Sequence, residues 1–301
     1  MNKFHCYGLS VISDFEFDCL PSARTASVHA DVIIEKGVIG NGIHEGQGSS
    51  GFSHVAAQHS RLIIPEVGKF SIIDGQRIII DPDPNASLMA IEAYLFGTVF
   101  GILIHQRNDF PFHASVLKGR YGAVSFTAPS GFGKSSLVAF LARSSLVTLI
   151  SDDMGRITFD TAAEVHFHAG PRKLKLWEDA ATWLQLPHQG RQRDSARENK
   201  FHYMVSGGAW RSQSKLNAIV YLKRAKDAKV NLRKVTGEQA IRVVLAGIYR
   251  PAIGAEVQSE KALFLKASRI ASSLNVYILS RPWGFEHMDR VRQSLYSFEL
   301  I

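Results

Sequence analysis

A group of residues suited to binding phosphate lies in the stretch FTAPSGFGKSS, at 126–136. The common phosphate-binding pattern is G-x-x-x-x-G-K-[ST], and Gly133, Lys134 and Ser135 match its end. Backbone N–H groups of such a loop surround a phosphate, and the positive end of the following helix adds attraction. We therefore predict that Lys134 neutralises β- and γ-phosphate oxygens and that the Ser135 hydroxyl ligates Mg²⁺.

The predicted loop departs from the pattern at its start, where Ala128 replaces the first glycine. Alanine is tolerated there if its φ is negative, and costs about 1 kcal/mol or more if φ is positive. The glycines closest to the phosphate are retained, so the sequence still predicts a nucleotide site. Its predicted binding residues are Ser130, Gly131, Phe132, Gly133, Lys134, Ser135 and Ser136.

Two adjacent carboxylates, Asp152 and Asp153, follow the apolar run LVTLIS. In a nucleotide site one carboxylate can bind Mg²⁺ and the other can take the proton from an attacking hydroxyl. The alternative is that Asp153 only caps a turn before Gly155. His113 precedes another apolar run, where its ring can tune a carboxylate or contact phosphate, or can be a core histidine satisfied by the backbone.

These residues need a strand, a loop, a helix and a second strand to bring them together. The runs FHASVL, AVSFTA and LVTLIS predict strands, and KSSLVAFLARSS predicts an amphipathic helix directly after the loop. A strand, glycine loop, helix and acid-terminated strand in this order are typical of a nucleotide-binding α/β core. Further along, LKLWEDAATWLQL (174–186) predicts a helix, and NVYILSRP predicts a last strand.

The chain before this core has a different pattern. Residues 1–85 contain short β-branched runs separated by turn residues, with a Gly/Ser-rich loop predicted at 41–52. We predict an α/β protein with a β-rich N-terminal domain at 1–85 and a phosphate-loop domain at 86–301. The apolar segment 86–104 carries one charge, Glu92, and predicts a helix buried in a soluble core, because a charge within a membrane span is costly.

Composition limits the possible partners. The 301 residues carry a net charge of +8, which favours anionic partners such as nucleotides or acidic peptides. No zinc-finger spacing or arginine-rich tail indicates nucleic acid. Two cysteines give no disulfide framework, and the first residues lack the apolar run of a signal peptide. We expect a cytoplasmic protein that binds neither nucleic acid nor membrane.

Three blocks together resemble the HPr kinase/phosphorylase family: FHASVL, SFTAPSGFGKSSL and LISDD, within 110–156. The chain is most similar to the HPr-kinase-like proteins of lasso-peptide and other modified-peptide gene clusters. It shares their β-rich start, their entry motif from Gln106 to Ser115, and an element near Pro171 to Trp177.

This resemblance implies an ATP- and Mg²⁺-dependent kinase that phosphorylates a serine of a peptide or small protein. By position it implies that Asp152 is the general base, His113 assists it, and Lys134 binds phosphate. It also places Asp153 beside the metal with Ser135, and allows a homo-oligomer.

The acceptor stays open between a lasso-type precursor, HPr or another carrier protein. Residues 249–252 are only weakly similar to the R-P-G-R-N-like loop of true HPr kinases, which argues against HPr as the acceptor. The basic segments 172–175 and 191–200 can attract an acidic peptide or be solvated faces. A regulatory protein with little catalysis is a third possibility, against which the paired carboxylates argue.

Overall fold

A computed structural model of the protein describes residues 1–23, 29–40, 52–187, 189–194, 198–205 and 213–301. The predicted loop at 41–52 falls outside these residues except for Phe52, as do positions 195–197 of the basic segment 191–200. The chain forms two compact units. The first comprises Met1–Pro111 and Tyr249–Leu263, and the second comprises Phe112–Ile248 and Phe264–Ile301.

The first unit contains a seven-stranded sheet, in agreement with the predicted β-rich start. Its strands are β1 (Asn2–Cys6), β2 (Leu9–Ser13), β3 (Val32–Lys36), β4 (Phe52–His54), β5 (His59–Ile64), β6 (Gly68–Ile73) and β7 (Arg77–Pro82). Their order is β1-β2-β3-β7-β6-β5-β4. Ile78 and Ile80 alternate with more exposed residues along β7 and are fully buried, as one-sided burial of a strand requires.

The apolar segment forms one continuous helix, Leu88–Gln106. It consists of α1 (Leu88–Tyr94), a π-helical turn (Leu95–Val99) and α2 (Phe100–Gln106). The Ser87 hydroxyl accepts a hydrogen bond from the Ala90 N–H and so caps its start. The helix is long and apolar enough to cross a membrane, but 67% of its apolar window is buried inside the protein. Such burial is typical of the core helix of a soluble protein.

The boundary between the compact units differs from the predicted domain boundary after residue 85. The long helix and α6 (Pro251–Gln258) group with the N-terminal sheet. Within the first unit, His105 of α2 contacts the Tyr249 carbonyl at 3.1 Å and Gln258 at 3.0 Å. The strand β8 (Phe110–Phe112) leads into the second unit.

The second unit has a mixed sheet at its centre. Its strands are β9 (Ala114–Gly119), β10 (Gly122–Thr127), β11 (Thr148–Ser151), β12 (Gly155–Phe159), β13 (Val165–Ala169), β17 (Gln213–Arg224), β18 (Asn231–Val235) and β19 (Asn275–Arg281). The order β11-β9-β10-β17-β13-β12 runs through the sheet, and β19 lies between β17 and β18. A mixed α/β fold is thus confirmed.

A smaller three-stranded sheet also belongs to the second unit, in the order β14-β16-β15. Its strands are β14 (Lys173–Trp177), β15 (Gln192–Arg193) and β16 (Lys200–Met204). The prediction of a helix over 174–186 is wrong in its first part, since α4 covers only Glu178–Trp183. Leu174 and Leu176 are buried in alternation with Lys173 and Lys175, a period of two that pairs with β16.

Within the described residues, the remaining helices are α3 (Lys134–Leu141), α5 (Gly237–Ala246), α7 (Glu260–Ser273) and α8 (Met288–Ser297), with a 3₁₀ turn at Phe285–His287. Helix α3 packs Leu137 and Val138 into a core with Phe126 and Val220.

The strand directions bring the predicted site residues to one edge of the central sheet. Strands β10, β17 and β19 pair in parallel, whereas β9 is antiparallel to both β10 and β11. The carboxyl ends of β10, β11, β17 and β19 therefore meet at one edge, where β9 begins. Ligands of open α/β sheets bind outside the carboxyl ends of the strands.

Candidate nucleotide site

The loop between β10 and α3 has the backbone that a phosphate-binding loop needs. Gly131 and Gly133 have φ values of 85° and 74°, which residues with a Cβ rarely adopt. Gly133 is the N-cap residue of α3, so the helix begins directly at the loop. Ala128 is buried, and its φ is not positive, so alanine fits the position of the first glycine without backbone strain.

Lys134 is held inside the loop. Its Nζ donates hydrogen bonds to the carbonyls of Ala128 at 2.9 Å and Pro129 at 3.3 Å, and the residue is 6% exposed. Burial lowers its pKa to about 8, against the opposing effect of Asp152 and Asp153. The ammonium group is thus desolvated before it meets an anion, which strengthens its attraction to phosphate.

The first carboxylate, Asp152, follows β11 and is held by three donors. Its Oδ1 accepts hydrogen bonds from Ser135 at 2.9 Å and Ser115 at 2.5 Å, and its Oδ2 accepts one from the Lys175 N–H at 2.9 Å. Asp152 is 7% exposed. The carboxylate that contacts Ser135 is therefore Asp152, where the sequence analysis expected Asp153. Strand β11 ends one residue earlier, at Ser151, and the chain turns between the two aspartates.

Asp153 points to a different set of groups. It has a φ of 84°, in the left-handed region, which turns its side chain away from that of Asp152. Its Oδ2 accepts a hydrogen bond from Lys175 Nζ at 2.6 Å, and its Oδ1 lies 3.7 Å from His113 Nε2. Burial would raise the pKa of this carboxyl, but the charge of Lys175, the protonated form of His113 and the hydrogen bond from Lys175 hold it well below the usual range.

His113 is fixed between the strands by its backbone. Its N–H donates to the Gly247 carbonyl at 2.7 Å, and its carbonyl accepts from the Thr127 hydroxyl at 2.9 Å. Burial lowers the pKa of the His113 ring to about 4, with a further contribution from the charge of Lys134. The ring is therefore neutral near pH 7. It lies beside Asp153, whereas the sequence analysis paired it with Asp152.

Most of the predicted residues come together at one edge of the sheet. Lys134, Ser135, Asp152, Asp153 and His113 form a connected group with the loop. Ser130, Gly131 and Ser136 lie on the loop or the first turn of α3. The Phe132 carbonyl accepts a hydrogen bond from Arg281 Nη2 at 3.1 Å.

Three residues of this site were not predicted. Ser115 is in the block FHASVL, but its contact with Asp152 depends on the pairing of β9 with β11. Lys175 lies in a basic segment that was predicted to be helical, so its contacts with Asp152 and Asp153 could not be expected. Arg281 ends β19, nearly 150 residues after the loop, so no local pattern connects the two.

Comparisons with known proteins give little beyond this geometry. No family model matches the chain, and no curated protein does. Among solved structures, the chain is similar to the HPr(Ser) kinase/phosphatase from Coxiella burnetii, at 12% identity and a TM-score of 0.33. The match covers 63% of this chain and 92% of that chain.

Proposed function

We propose that the chain is an ATP- and Mg²⁺-dependent kinase that transfers the γ-phosphoryl group to a serine of a peptide or small protein. One observation carries this proposal. Ser135 of the phosphate-binding loop donates a hydrogen bond to Asp152, and a second carboxylate, Asp153, follows directly in the chain. A protein that only binds nucleotide has no need of the second carboxylate.

The donor atoms fit Mg²⁺, which prefers oxygen ligands from hydroxyls, carboxylates and phosphates. Ser135 Oγ and Asp152 Oδ1 lie 2.9 Å apart, and both atoms would coordinate the ion. When bound, Mg²⁺ would neutralise charge on the phosphate oxygens. Asp152 takes the metal-side role in this proposal, because its Oδ1 already contacts the Ser135 hydroxyl of the loop.

Asp153 is the better placed of the two carboxylates to orient the acceptor hydroxyl and take its proton. Its low pKa makes it a weak base, so orientation is the larger part of this role. Its side chain is 32% exposed, so an acceptor hydroxyl can reach it. In the proposed reaction the serine oxygen bonds to the γ-phosphorus, the bond from that phosphorus to the β–γ bridging oxygen breaks, and ADP leaves. The hydroxyl proton goes to Asp153. Lys175 positions this carboxylate through its 2.6 Å hydrogen bond, and the neutral His113 ring lies beside it at 3.7 Å. Positioning supplies much of the catalysis of phosphoryl transfer.

The acceptor is proposed from charge. Lys173 and Lys175 lie on β14, and Lys200 lies on the neighbouring β16. Lys175 and Lys200 are close enough to Asp153 for their charges to lower its pKa. Lys175 is paired with Asp153, so Lys173 and Lys200 are the charges that favour an acidic peptide beside the reacting carboxylate. We propose a precursor peptide of the lasso type as this acceptor, with HPr as the competing one.

The test is a transfer assay with purified protein, ATP and Mg²⁺. A serine peptide rich in acidic residues, its Ser→Ala counterpart and HPr are offered in parallel, and mass spectrometry locates the added phosphate. We expect phosphate on the serine of the acidic peptide alone, and none with Lys134→Ala. Tight ATP binding without phosphate on any acceptor would instead support a regulatory protein.

A further inference from the structure

A buried arginine lies against the loop on the side away from the carboxylates. Arg281 is the last residue of β19 and is 5% exposed. Its Nη2 donates to the Phe132 carbonyl at 3.1 Å, and a Cβ on Gly133 would collide with the same atom. Gly133 therefore allows both the turn into α3 and the close approach of a guanidinium to the loop.

The charge of Arg281 is not balanced by a carboxylate. Among the residues that the structure describes, no acidic side chain forms an ion pair with Arg281 or with Arg224, which lies opposite it on β17. Burial lowers the pKa of Arg281, and the positive charge of Arg224 adds to this effect. Holding a buried cation next to another cation is costly, and a bound anion would offset that cost.

An aromatic side chain completes this flank. Trp283 follows β19 by two residues and is 53% exposed. The Arg224 guanidinium lies 4.3 Å from its ring centroid, and that of Arg281 lies 5.9 Å from it. Nucleobases stack on exposed aromatic rings and on arginine planes with little dependence on the base.

The strand order puts Arg281 and the carboxylates on opposite sides of the loop strand. From the loop strand β10, β9 and β11 lead to Asp152 on one side, and β17 and β19 lead to Arg281 on the other. A nucleotide whose terminal phosphate lies near Lys134 and Ser135 must extend its nucleoside away from the acceptor side. The flank that remains is the one with Arg281 and Trp283.

We propose that Arg281 and Trp283 form the nucleoside-side subsite of the loop, in which Arg281 binds a phosphate oxygen of the nucleotide and Trp283 stacks on its base. This inference rests on the proposed function, because it needs a nucleotide in the loop. It adds that purine triphosphates bind with little preference between adenine and guanine, since stacking does not distinguish them.

The experiment measures the affinity of ATP, GTP and inorganic tripolyphosphate by calorimetry. The variants are Trp283→Ala, Trp283→Phe, Arg281→Gln and Arg281→Lys. The matched control is Tyr121→Ala, which removes another exposed aromatic ring that lies beside an arginine, Arg120, at the turn between β9 and β10. Thermal unfolding without ligand shows whether each variant is folded. Trp283 is exposed, so its variants test the proposal even if those of Arg281 are unstable.

We expect Trp283→Ala to lower the affinity for ATP and GTP about tenfold and to leave the affinity for tripolyphosphate unchanged. The affinities of Trp283→Phe should be close to those of wild type. Arg281→Gln should lower the affinity for all three ligands about tenfold. Arg281→Lys should lower it less, because lysine keeps the positive charge. Tyr121→Ala should change nothing. The inference is overturned if Trp283→Ala binds ATP as tightly as wild type, or loses tripolyphosphate as strongly as ATP.

Lys134→Ala separates this inference from the proposed function. If Lys134→Ala loses nucleotide while the Trp283 and Arg281 variants retain it, only the nucleoside-side subsite is wrong. If wild type and Lys134→Ala bind all three ligands equally, or neither binds, the phosphate site itself is wrong and both proposals fail.

Discussion

The two flanks of the phosphate loop differ in how their charges are balanced. On the carboxylate flank, Asp152 accepts three hydrogen bonds and Asp153 is paired with Lys175. On the arginine flank, Arg281 is buried against a backbone carbonyl and faces a second cation, Arg224. The first flank is internally satisfied, whereas the second gains from an added anion.

This difference indicates which flank is organised by the protein and which by its ligand. A satisfied network holds its side chains in one geometry, which a transfer reaction needs at the acceptor and metal. A desolvated cation without a carboxylate instead gives binding energy to whatever anion arrives. The same loop would thus present a rigid face to the acceptor and a binding face to the nucleoside.

Removing Lys134 tests the element that both flanks share, and should have the largest effect. Lys134→Ala deletes a buried ammonium that would contact the phosphates, so nucleotide affinity should fall by about 10²-fold, the upper range for a charged hydrogen bond, and transfer should be lost. Calorimetry and the transfer assay measure both. Lys118→Ala, an exposed lysine of β9, is the control and should behave as wild type. Unchanged affinity in Lys134→Ala would remove the basis of the comparison.

The two aspartates test the division of roles within the carboxylate flank. Asp153→Asn should lose about 10²-fold or more in transfer rate, the usual scale for a general base, and keep ATP affinity within a few-fold. Asp152→Asn should raise the Mg²⁺ concentration needed for half-maximal activity, because it weakens the pair with Ser135. Rates measured over a Mg²⁺ titration separate these outcomes. The opposite pattern would restore the assignment made from the sequence, with Asp152 as the base.

The two flanks also differ in how far they could be predicted from the sequence. The loop, Asp152 and Asp153 are marked by local motifs, and strand–helix alternation predicted the elements that carry them. The exchange of partners between the aspartates could not be predicted, since it depends on the left-handed φ of Asp153. Lys175 was missed because LKLWEDAATWLQL resembles a helix, while pairing with β16 makes its first half a strand. Arg281 was missed because only the sheet order brings β19 near the loop.

The histidine of the carboxylate flank gives a smaller effect, on stability. The folded chain lowers the pKa of His113 from 6.5 to about 4, so between these values the unfolded chain binds more protons. The free energy of unfolding should therefore fall as pH decreases from about 6.5 towards 4, by up to about 3 kcal/mol. His113→Gln should lose less stability over this range. Denaturant unfolding of both proteins at several pH values measures the difference, and parallel curves would show that His113 does not titrate in this way.

Restoring the first glycine of the motif should have the smallest effect of all. Ala128 is buried, lacks a positive φ and directly follows β10, so glycine adds no conformation that the loop uses. Glycine would instead increase the entropy of the unfolded chain and remove a buried methyl group, which together cost about 1–2 kcal/mol of stability. We expect Ala128→Gly to lower the thermal midpoint by several degrees and to keep ATP affinity and transfer rate within about twofold. A large gain in affinity would mean that the loop of the wild-type chain is strained at Ala128, and that neither flank meets its ligand in the geometry described above. Because Lys134 Nζ bonds to the Ala128 carbonyl, a large loss would mean that this residue controls the lysine on which both flanks depend.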